Sequence, residues 1–441
     1  MDLIPLPGFR DFFPERAARR EYVFSRWRNA ALRFGFEPYD GPPMEPTDLY
    51  RRKSGEEIVG QLYCFTDKGG REVSLRPEMT PTLARMIAAQ GSSLPKPIKW
   101  FSIPQLFRYE RQQRGRLREH FQFNCDILGE ASVEAEVELV ALLTETLSSF
   151  GLVAKDFAVR VSDRLLLAAV LDALGIAGDE ARGRVFAVVD KLSREPREKI
   201  RARLVEGGFA ANIADDLLDL LTARDLGRIA SRFESSPAVT ARVLVLQRFF
   251  GLLECMGLGA FVEFDPSIVR GLAYYTGIVF EAFDRKGELR AISGGGRYDH
   301  LLEALGGTPL PALGFGMGDV VLGEMLTDRN LWPSKLDSGP QVYLILVDES
   351  LRPQMLALGR TLRLAGFRVD YPLVAAAVGK QFRAAAQRGA GAAVVIAPEE
   401  WQRAAVKLKD LASRDEREVS VAELDAALAR LLKPNGKSAA V

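Results

Sequence analysis

Residues 120–129, HFQFNCDILG, alternate without a break: Phe121, Phe123, Cys125 and Ile127 fall on one side, Gln122, Asn124 and Asp126 on the other. A strand turns successive side chains to opposite faces, so this segment has one face for a core and a row of three polar groups on the other. Before it come FEPYDGPPMEP and the segments LYCF, EVSLRP and IKWFSIPQLFRYE, which read as further strands of an antiparallel sheet with a basic loop between the last two. The polar face of such a sheet is either solvated or recognises a small polar ligand.

Helical periods flank these strands. Residues 15–34 set Val23, Trp27, Ala31 and Phe34 on one face before Gly35 stops the helix, and residues 132–150 read as a capped helix. From about 165 to 255 the pattern is almost purely helical, and strands return at FVEFDPSIVRG, IVFEAF and LRAIS, which marks a helical insertion in a β-rich domain. ALGFGMGDVVLGEML then reads as a strand running into a helix, and the polar stretch DRNLWPSKLDSGP as a linker. Alternating β and α segments over 341–433 predict a small α/β domain with a largely parallel sheet. The expected organisation is an α+β domain over 1–327, a linker over 328–340, the α/β domain over 341–433 and a flexible tail over 434–441.

The 59 Lys and Arg residues nearly balance 58 Asp and Glu, so a polyanionic partner must meet a local patch rather than a global field. Three cysteines (Cys64, Cys125, Cys255) and two histidines (His120, His300) lie far apart, which predicts neither a metal site nor a disulfide framework. MDLIPLPGFRDFFP lacks the basic and apolar regions of a signal peptide, and no 18-residue stretch is free of charge. A reduced, cytoplasmic, soluble protein is expected.

The densest charge is RYERQQRGRLR, where Arg108, Arg111, Arg114, Arg116 and Arg118 face one acid, Glu110. Guanidinium forks bind phosphate bidentately, so this loop reads as a phosphate or nucleic-acid clamp or, alternatively, as a solvated hairpin. In SLRPEMTPTLARM, Thr80 and Pro81 suit the start of a helix, leaving Glu78 at its mouth to hold an ammonium group or simply to complement the helix N-terminus. IVRGLAYYTG offers Arg270 and the pair Tyr274 and Tyr275, and SGGGRYD and GFGMG supply Gly294, Gly295, Gly296, Gly314, Gly316 and Gly318. Glycines at a period of two strip one face of a strand, so that a flat ring or another backbone can lie against it. No GK[ST] follows, which excludes a P-loop.

In this order, GFRDFFP, RPEMTPTLARM, FRYERQQRGRLREHFQFNCDILG, RGLAYYTG, SGGGRYD and GFGMG resemble the histidyl-tRNA synthetase family of class II aminoacyl-tRNA synthetases. VVDKL is similar to part of that family's helical insertion, and GKQFRAAAQRGA with VKLKDL to its anticodon-binding domain. The resemblance implies a homodimer on a six-stranded antiparallel catalytic sheet, with Pro42 near the interface. It implies activation of histidine by ATP, with Mg2+, and transfer to tRNA-His. Arg108 matches the arginine on the α-phosphate, Glu110 the acid beside adenine, and Arg270 the arginine that neutralises charge between carboxylate and phosphate. Glu78, Thr80 and Gln122 match groups around the α-amino end, and Asp126 with Tyr274 or Tyr275 those reading the imidazole. Arg116, Gly316 and Gly318 fall among the ATP-binding positions, and Arg111, Arg114 and Arg118 on the loop approaching the tRNA acceptor stem.

Three positions depart from the pattern. Val321 stands where an arginine on the ATP γ-phosphate is usual, leaving Arg116, Arg297 or magnesium to compensate; Ala273 stands where many members have Asp, and Asp126 where some have Glu. The competing resemblance is to the non-catalytic, histidine-binding regulatory subunit of ATP phosphoribosyltransferase, which typically lacks the C-terminal domain.

Overall fold

The computed structural model describes residues 3–54, 60–90, 93–111, 113–189, 192, 195–268, 275–334, 336 and 339–432. Two compact units divide it, Met1–Ser334 and Lys335–Val441. The first is built on β1 (Glu37–Pro38), β2 (Met44–Pro46), β3 (Cys64–Thr66), β4 (Glu72–Leu75), β5 (Ile98–Ser102), β6 (Gln105–Phe107), β7 (Glu119–Leu128), β8 (Phe157–Asp163), β9 (Val262–Phe264), β10 (Ile278–Asp284), β11 (Ser293–Arg297) and β12 (Ala312–Gly318). Strands β5-β7-β12-β11-β10-β8 form a six-stranded antiparallel run. The sheet is mixed only at its edges, where β1 joins β5 and β9 joins β8 in parallel, while β6 pairs with the start of β7. Strands β2, β4 and β3 make a small separate antiparallel sheet.

The apolar side of the long strand is filled as its alternation requires. Helix α1 (Pro14–Arg33) buries Val23, Trp27, Ala30 and Ala31, and the Trp27 indole stacks on Phe123 at 5.6 Å between centroids. Gly35, at φ +73°, ends that helix in a conformation that side chains with a Cβ disfavour. α2 (Thr47–Ser54) and α3 (Thr80–Gln90) follow, and α4 (Glu134–Ser148) lies across the core with Leu139, Val140, Leu142, Leu143 and Leu147 buried. No side-chain cap closes the start of α4, contrary to the capped helix expected. Instead the Ser132 amide donates to Glu130, and Glu134 pairs with Arg248 of a distant helix.

The insertion runs from α5 (Arg164–Ala173) to α10 (Pro237–Cys255) and has a core of its own around Leu171, Val185, Leu204, Leu217 and Leu221. Asp163 anchors it twice: Oδ1 accepts the Leu165 amide at 2.9 Å as the N-cap of α5, and Oδ2 pairs with Arg242 of α10 at 2.6 Å. α11 (Leu301–Ala304) connects β11 to β12, and α12 (Asp319–Asp328) is entered directly from β12.

In the second unit, β13 (Val342–Leu346), β14 (Val369–Asp370), β15 (Ala392–Ile396), β16 (Ala405–Asp410) and β17 (Glu416–Ser420) lie in the order β14-β13-β15-β16-β17. The expectation of a largely parallel sheet is corrected here, because only β14-β13-β15 is parallel. Residues 397–404 and 411–415 are too few for a parallel crossover, which takes a dozen or more, so β16 and β17 add as antiparallel neighbours. Both faces are buried, by Val342, Leu344, Val394 and Ile396 on one side and Tyr343, Ile345, Ala393 and Val395 on the other. Buried Gln381, from GKQF, closes a two-way clasp on Leu346, donating to its carbonyl and accepting from its amide at 2.7 Å each.

Candidate active site

Strand register lays out the site. Asn124, Gly316, Gly294, Glu281 and Arg160 fall in one row across β7, β12, β11, β10 and β8, and Asp126, Gly314, Gly296, Val279 and Ser162 in the next. Glycines occupy the middle of both rows, so this face carries a trough of bare backbone between a polar wall on β7 and Glu281 with Arg160 opposite. A Cβ at Gly316 would stand 2.6 Å from Gln122 Nε2, and one at Gly314 2.1 Å from Asp126 Oδ1. Both polar side chains thus lean over positions where any larger residue would displace them. Gly295 faces the core instead, where a Cβ would meet Phe315 and Phe280 within 2.8 Å.

Above the trough opens a cleft of about 1090 Å3, lined among others by Arg108, Glu110, Arg116, Gln122, Gly316 and Gly318. Arg108 ends the β6 side of the basic hairpin. Its amide donates to Arg118 O and its Nε to Pro77 O, each at 2.9 Å, which brings the turn carrying Glu78 and Thr80 against it. Asp126 lies buried at the foot of the polar wall and accepts a hydrogen bond from the buried Tyr298 hydroxyl. Tyr275 is buried with Leu83, Val279 and Tyr298, its ring 3.0 Å from where a Cβ on Gly296 would stand. Arg270 and Tyr274 lie outside the described residues.

Much of the hairpin's charge is already spent within the fold. Glu110 and Arg116 form a bidentate ion pair. Arg114 bonds Glu324 at 3.2 Å and Asp328 at 2.8 Å on α12, and the Gly115 amide donates to Glu324 at 3.0 Å. Arg118 stacks on Tyr109 with its guanidinium carbon 4.4 Å from the ring centroid, and Arg111 is exposed. From the insertion, Thr222 and Arg224 reach the cleft, where Arg224 and Arg160 approach the same buried carboxylate, Asp265, at 3.0 and 3.8 Å.

Residues 8–318 match the family model described as histidyl-tRNA synthetase, and residues 341–431 match the anticodon-binding domain model. The chain belongs to the histidyl-tRNA synthetase family. It is 47% identical over 418 residues to the histidine–tRNA ligase of Opitutus terrae, covering 94% of this chain and 95% of that one. It is 39% identical to the chloroplastic/mitochondrial histidine–tRNA ligase of Arabidopsis thaliana, over 96% of this chain and 86% of that one. The fold is also that of the solved histidyl-tRNA synthetase from Nostoc sp. PCC 7120, at a TM-score of 0.84, 24% identity and 98% and 99% coverage of the two chains. A Bacillus halodurans structure described as an ATP phosphoribosyltransferase regulatory subunit/histidyl-tRNA synthetase shares the fold at a TM-score of 0.73 and 21% identity, covering 90% of this chain and 100% of that one.

Within this synthetase frame, the departure at Val321 acquires a geometry. Val321 sits in the first turn of α12, lines the cleft and is 8% exposed. Gly115, at φ +74°, packs over it so closely that a Cβ there would come within 3.2 Å of Val321 Cγ2. Arg297, named from sequence as a substitute cation, does not reach the cleft: it is 7% exposed and bound to Glu136 at 2.6 and 2.7 Å. That correction follows from strand parity, because Arg297 shares the core-facing side of β11 with Gly295.

Sequence reading also passed over His120, which lines the cleft between β7 and the hairpin. Burial, together with Arg108, Arg10 and Arg116, pushes its pKa down to about 3. The imidazole is therefore neutral in the fold and adds no positive charge to the cleft. Between the ordinary histidine value near 6.5 and about 3, the unfolded chain takes a proton that the fold refuses. Over that window stability falls by about 1.4 kcal/mol for each unit of acidification. In an NMR titration, with His120→Gln as the assignment control, the His120 resonances are expected to keep their neutral positions down to about pH 5, where an ordinary imidazole is protonated. A midpoint near the ordinary value would refute this environment.

Proposed function

We propose that this cleft activates histidine with ATP and transfers it to tRNA-His. A carboxylate oxygen of histidine attacks the α-phosphorus as the bond to pyrophosphate breaks; a ribose hydroxyl at the tRNA 3′ end then attacks the acyl carbon and AMP leaves. Both steps need alignment and fixed positive charge more than a general base, because the attacking carboxylate is already ionised. The observation that carries this reading is the bare-backbone trough, walled by Gln122, Asn124 and Asp126 and opening onto Arg108.

In this reading Asp126, oriented by Tyr298, and Tyr275 or Tyr274 receive the imidazole, while Glu78, Thr80 and Gln122 hold the α-amino end. Arg108 takes the α-phosphate, Arg270 the charge between the reacting groups, and Gly316 and Gly318 the floor beneath the nucleotide. Glu110 flanks adenine, with Arg116 held against it. Amino acids without an imidazole are rejected because they leave buried polar groups unpaired. Mg2+ arrives with ATP; among the described residues no three His, Cys, Asp or Glu side chains cluster as a closed metal cage. Arg111, Arg114 and Arg118 approach the acceptor stem, and the domain at 341–433 reads the anticodon. A homodimer with Pro42 near its interface and a cytoplasmic location complete the proposal. Among the described residues no helix is long and apolar enough to cross a membrane.

Histidine-dependent exchange of labelled pyrophosphate into ATP, without tRNA, tests the first step. Robust exchange is expected, and histidine binding without exchange would instead support the regulatory reading. Gly316→Ala is expected to raise the histidine KM by about tenfold, because the new methyl displaces Gln122 at an overpacking penalty of 1–3 kcal/mol. An unchanged histidine KM would remove Gln122 from that subsite.

A further inference from the structure

We propose that Arg76 is a positioning residue that holds the turn receiving the histidine α-amino end and the arginine meeting the α-phosphate at a fixed separation. The inference rests on the adenylation reading, in which Glu78 and Thr80 hold that amino end and Arg108 takes the phosphate. Arg76 begins the turn between β4 and α3 that carries Glu78 and leads into Thr80, and it is 5% exposed. Its backbone and side chain grip β6 together. Arg76 O accepts the Phe107 amide at 3.0 Å, and Arg76 Nε donates to Gln105 O, also at 3.0 Å. These bonds fall on the edge of β6 away from its partner β7, with main chain at one rung and guanidinium at the next. The strand they hold runs straight into Arg108, whose Nε returns to Pro77 O at 2.9 Å. On the β7 side, the Gln105 side-chain amide donates to buried Glu119 at 2.9 Å, which ties β6 to the catalytic sheet.

The other arm of the guanidinium reaches the segment before β2. Arg76 Nη1 donates to Gly41 O at 2.7 Å and to Asp40 Oδ1 at 2.9 Å, and the Arg76 amide donates to Pro43 O at 2.9 Å. That segment packs on the first turn of α3, where a Cβ on Gly41 would stand 2.4 Å from Thr82 Cγ2 and 3.4 Å from Met79 Cε. One planar fork thus fixes the turn against β6 on one side and against residues 40–43 on the other. An ammonium is a single point on a flexible stem and cannot hold both directions at once. Reaction between two bound ligands is sensitive to displacements of about 1 Å, so loosening this fork slows the chemical step more than it weakens the holding of either ligand.

The test is histidine-dependent pyrophosphate exchange by the full-length chain. Arg76→Ala empties a buried site and risks the fold, so Arg76→Lys, which keeps the stem and the charge, carries the test, with circular dichroism checking that it folds. Its kcat is expected to fall about tenfold while the histidine and ATP KM values stay within about threefold of wild type. In an Arg108→Ala background the same substitution is expected to cost less than about threefold, because residues that act through one alignment are not additive. A merely structural role would lower the unfolding temperature and leave kcat of the folded protein as it was. Unchanged kcat in Arg76→Lys, a loss carried by KM alone, equal losses in the two backgrounds, or a variant that does not fold would overturn the proposal. A wild-type chain without exchange would sink the adenylation reading and this inference with it, whereas an active wild type matched by Arg76→Lys sinks the inference alone.

Discussion

Arg108→Ala is expected to lower the rate of histidine-dependent pyrophosphate exchange by about two to three orders of magnitude, the scale on which removal of one preorganised group facing developing charge is felt. The loss should fall on kcat as well as on the ATP KM if, as proposed, Arg108 meets the phosphate whose bonds are changing; its guanidinium is held in place by Pro77 O at 2.9 Å. Thermal unfolding should be little altered, since the residue contributes one backbone-directed bond to the fold. A variant with near-normal kcat would place the α-phosphate elsewhere.

The second large effect concerns stability. Arg10, from GFRDFFP, bridges Glu119 of β7 at 2.6 Å and Asp319 of α12 at 2.9 Å, while Asp319 also accepts the Phe121 amide at 2.9 Å. Glu119 is 1% exposed, so Arg10→Ala leaves carboxylates buried without their cation, a change that costs about 3–5 kcal/mol. Burial already pushes the Asp319 pKa up, against the opposing pull of Arg10. Without Arg10 it rises further above the unfolded value, so the penalty is present at high pH and relieved as acid protonates the carboxyl. The stability gap between variant and wild type should therefore narrow from neutral toward acid pH in denaturant titrations. A gap that is small, or that widens in acid, would show that the triad does not act as a buried charge cluster.

Legibility in the sequence followed the range over which each interaction acts. The polar row of Gln122, Asn124 and Asp126 was readable because strand alternation is local, and the bare floor because Gly314, Gly316 and Gly318 keep the same period. Arg108 stood out through charge density. Tyr298 was not readable: it is separated by 172 positions from Asp126, and nothing in RYD says which strand its hydroxyl meets. Arg10 and Asp319, 309 positions apart, were hidden for the same reason. Charge counting overstated the open charge of the hairpin, because it does not see that α12 presents Glu324 and Asp328 to Arg114. In the C-terminal unit, the exposed, charged stretch Glu416-Arg417-Glu418 carries no apolar alternation to mark it as a strand, although it pairs antiparallel with β16.

The borders of the two large sheets are blunt. β1 is two residues ending in Pro38 and β9 is three residues long, so the catalytic sheet tapers on both sides of its glycine-floored centre. In the C-terminal unit, β14 has two residues, and outermost β17 displays charges of alternating sign. An open row of amides and carbonyls on a long, flat border would invite another chain to add a strand. Short borders and charged side chains offer little template for that addition, while glycine-rich β11 and β12, strands with few side chains to enforce register, lie at the centre of the sheet between β7 and β10 rather than at an open border.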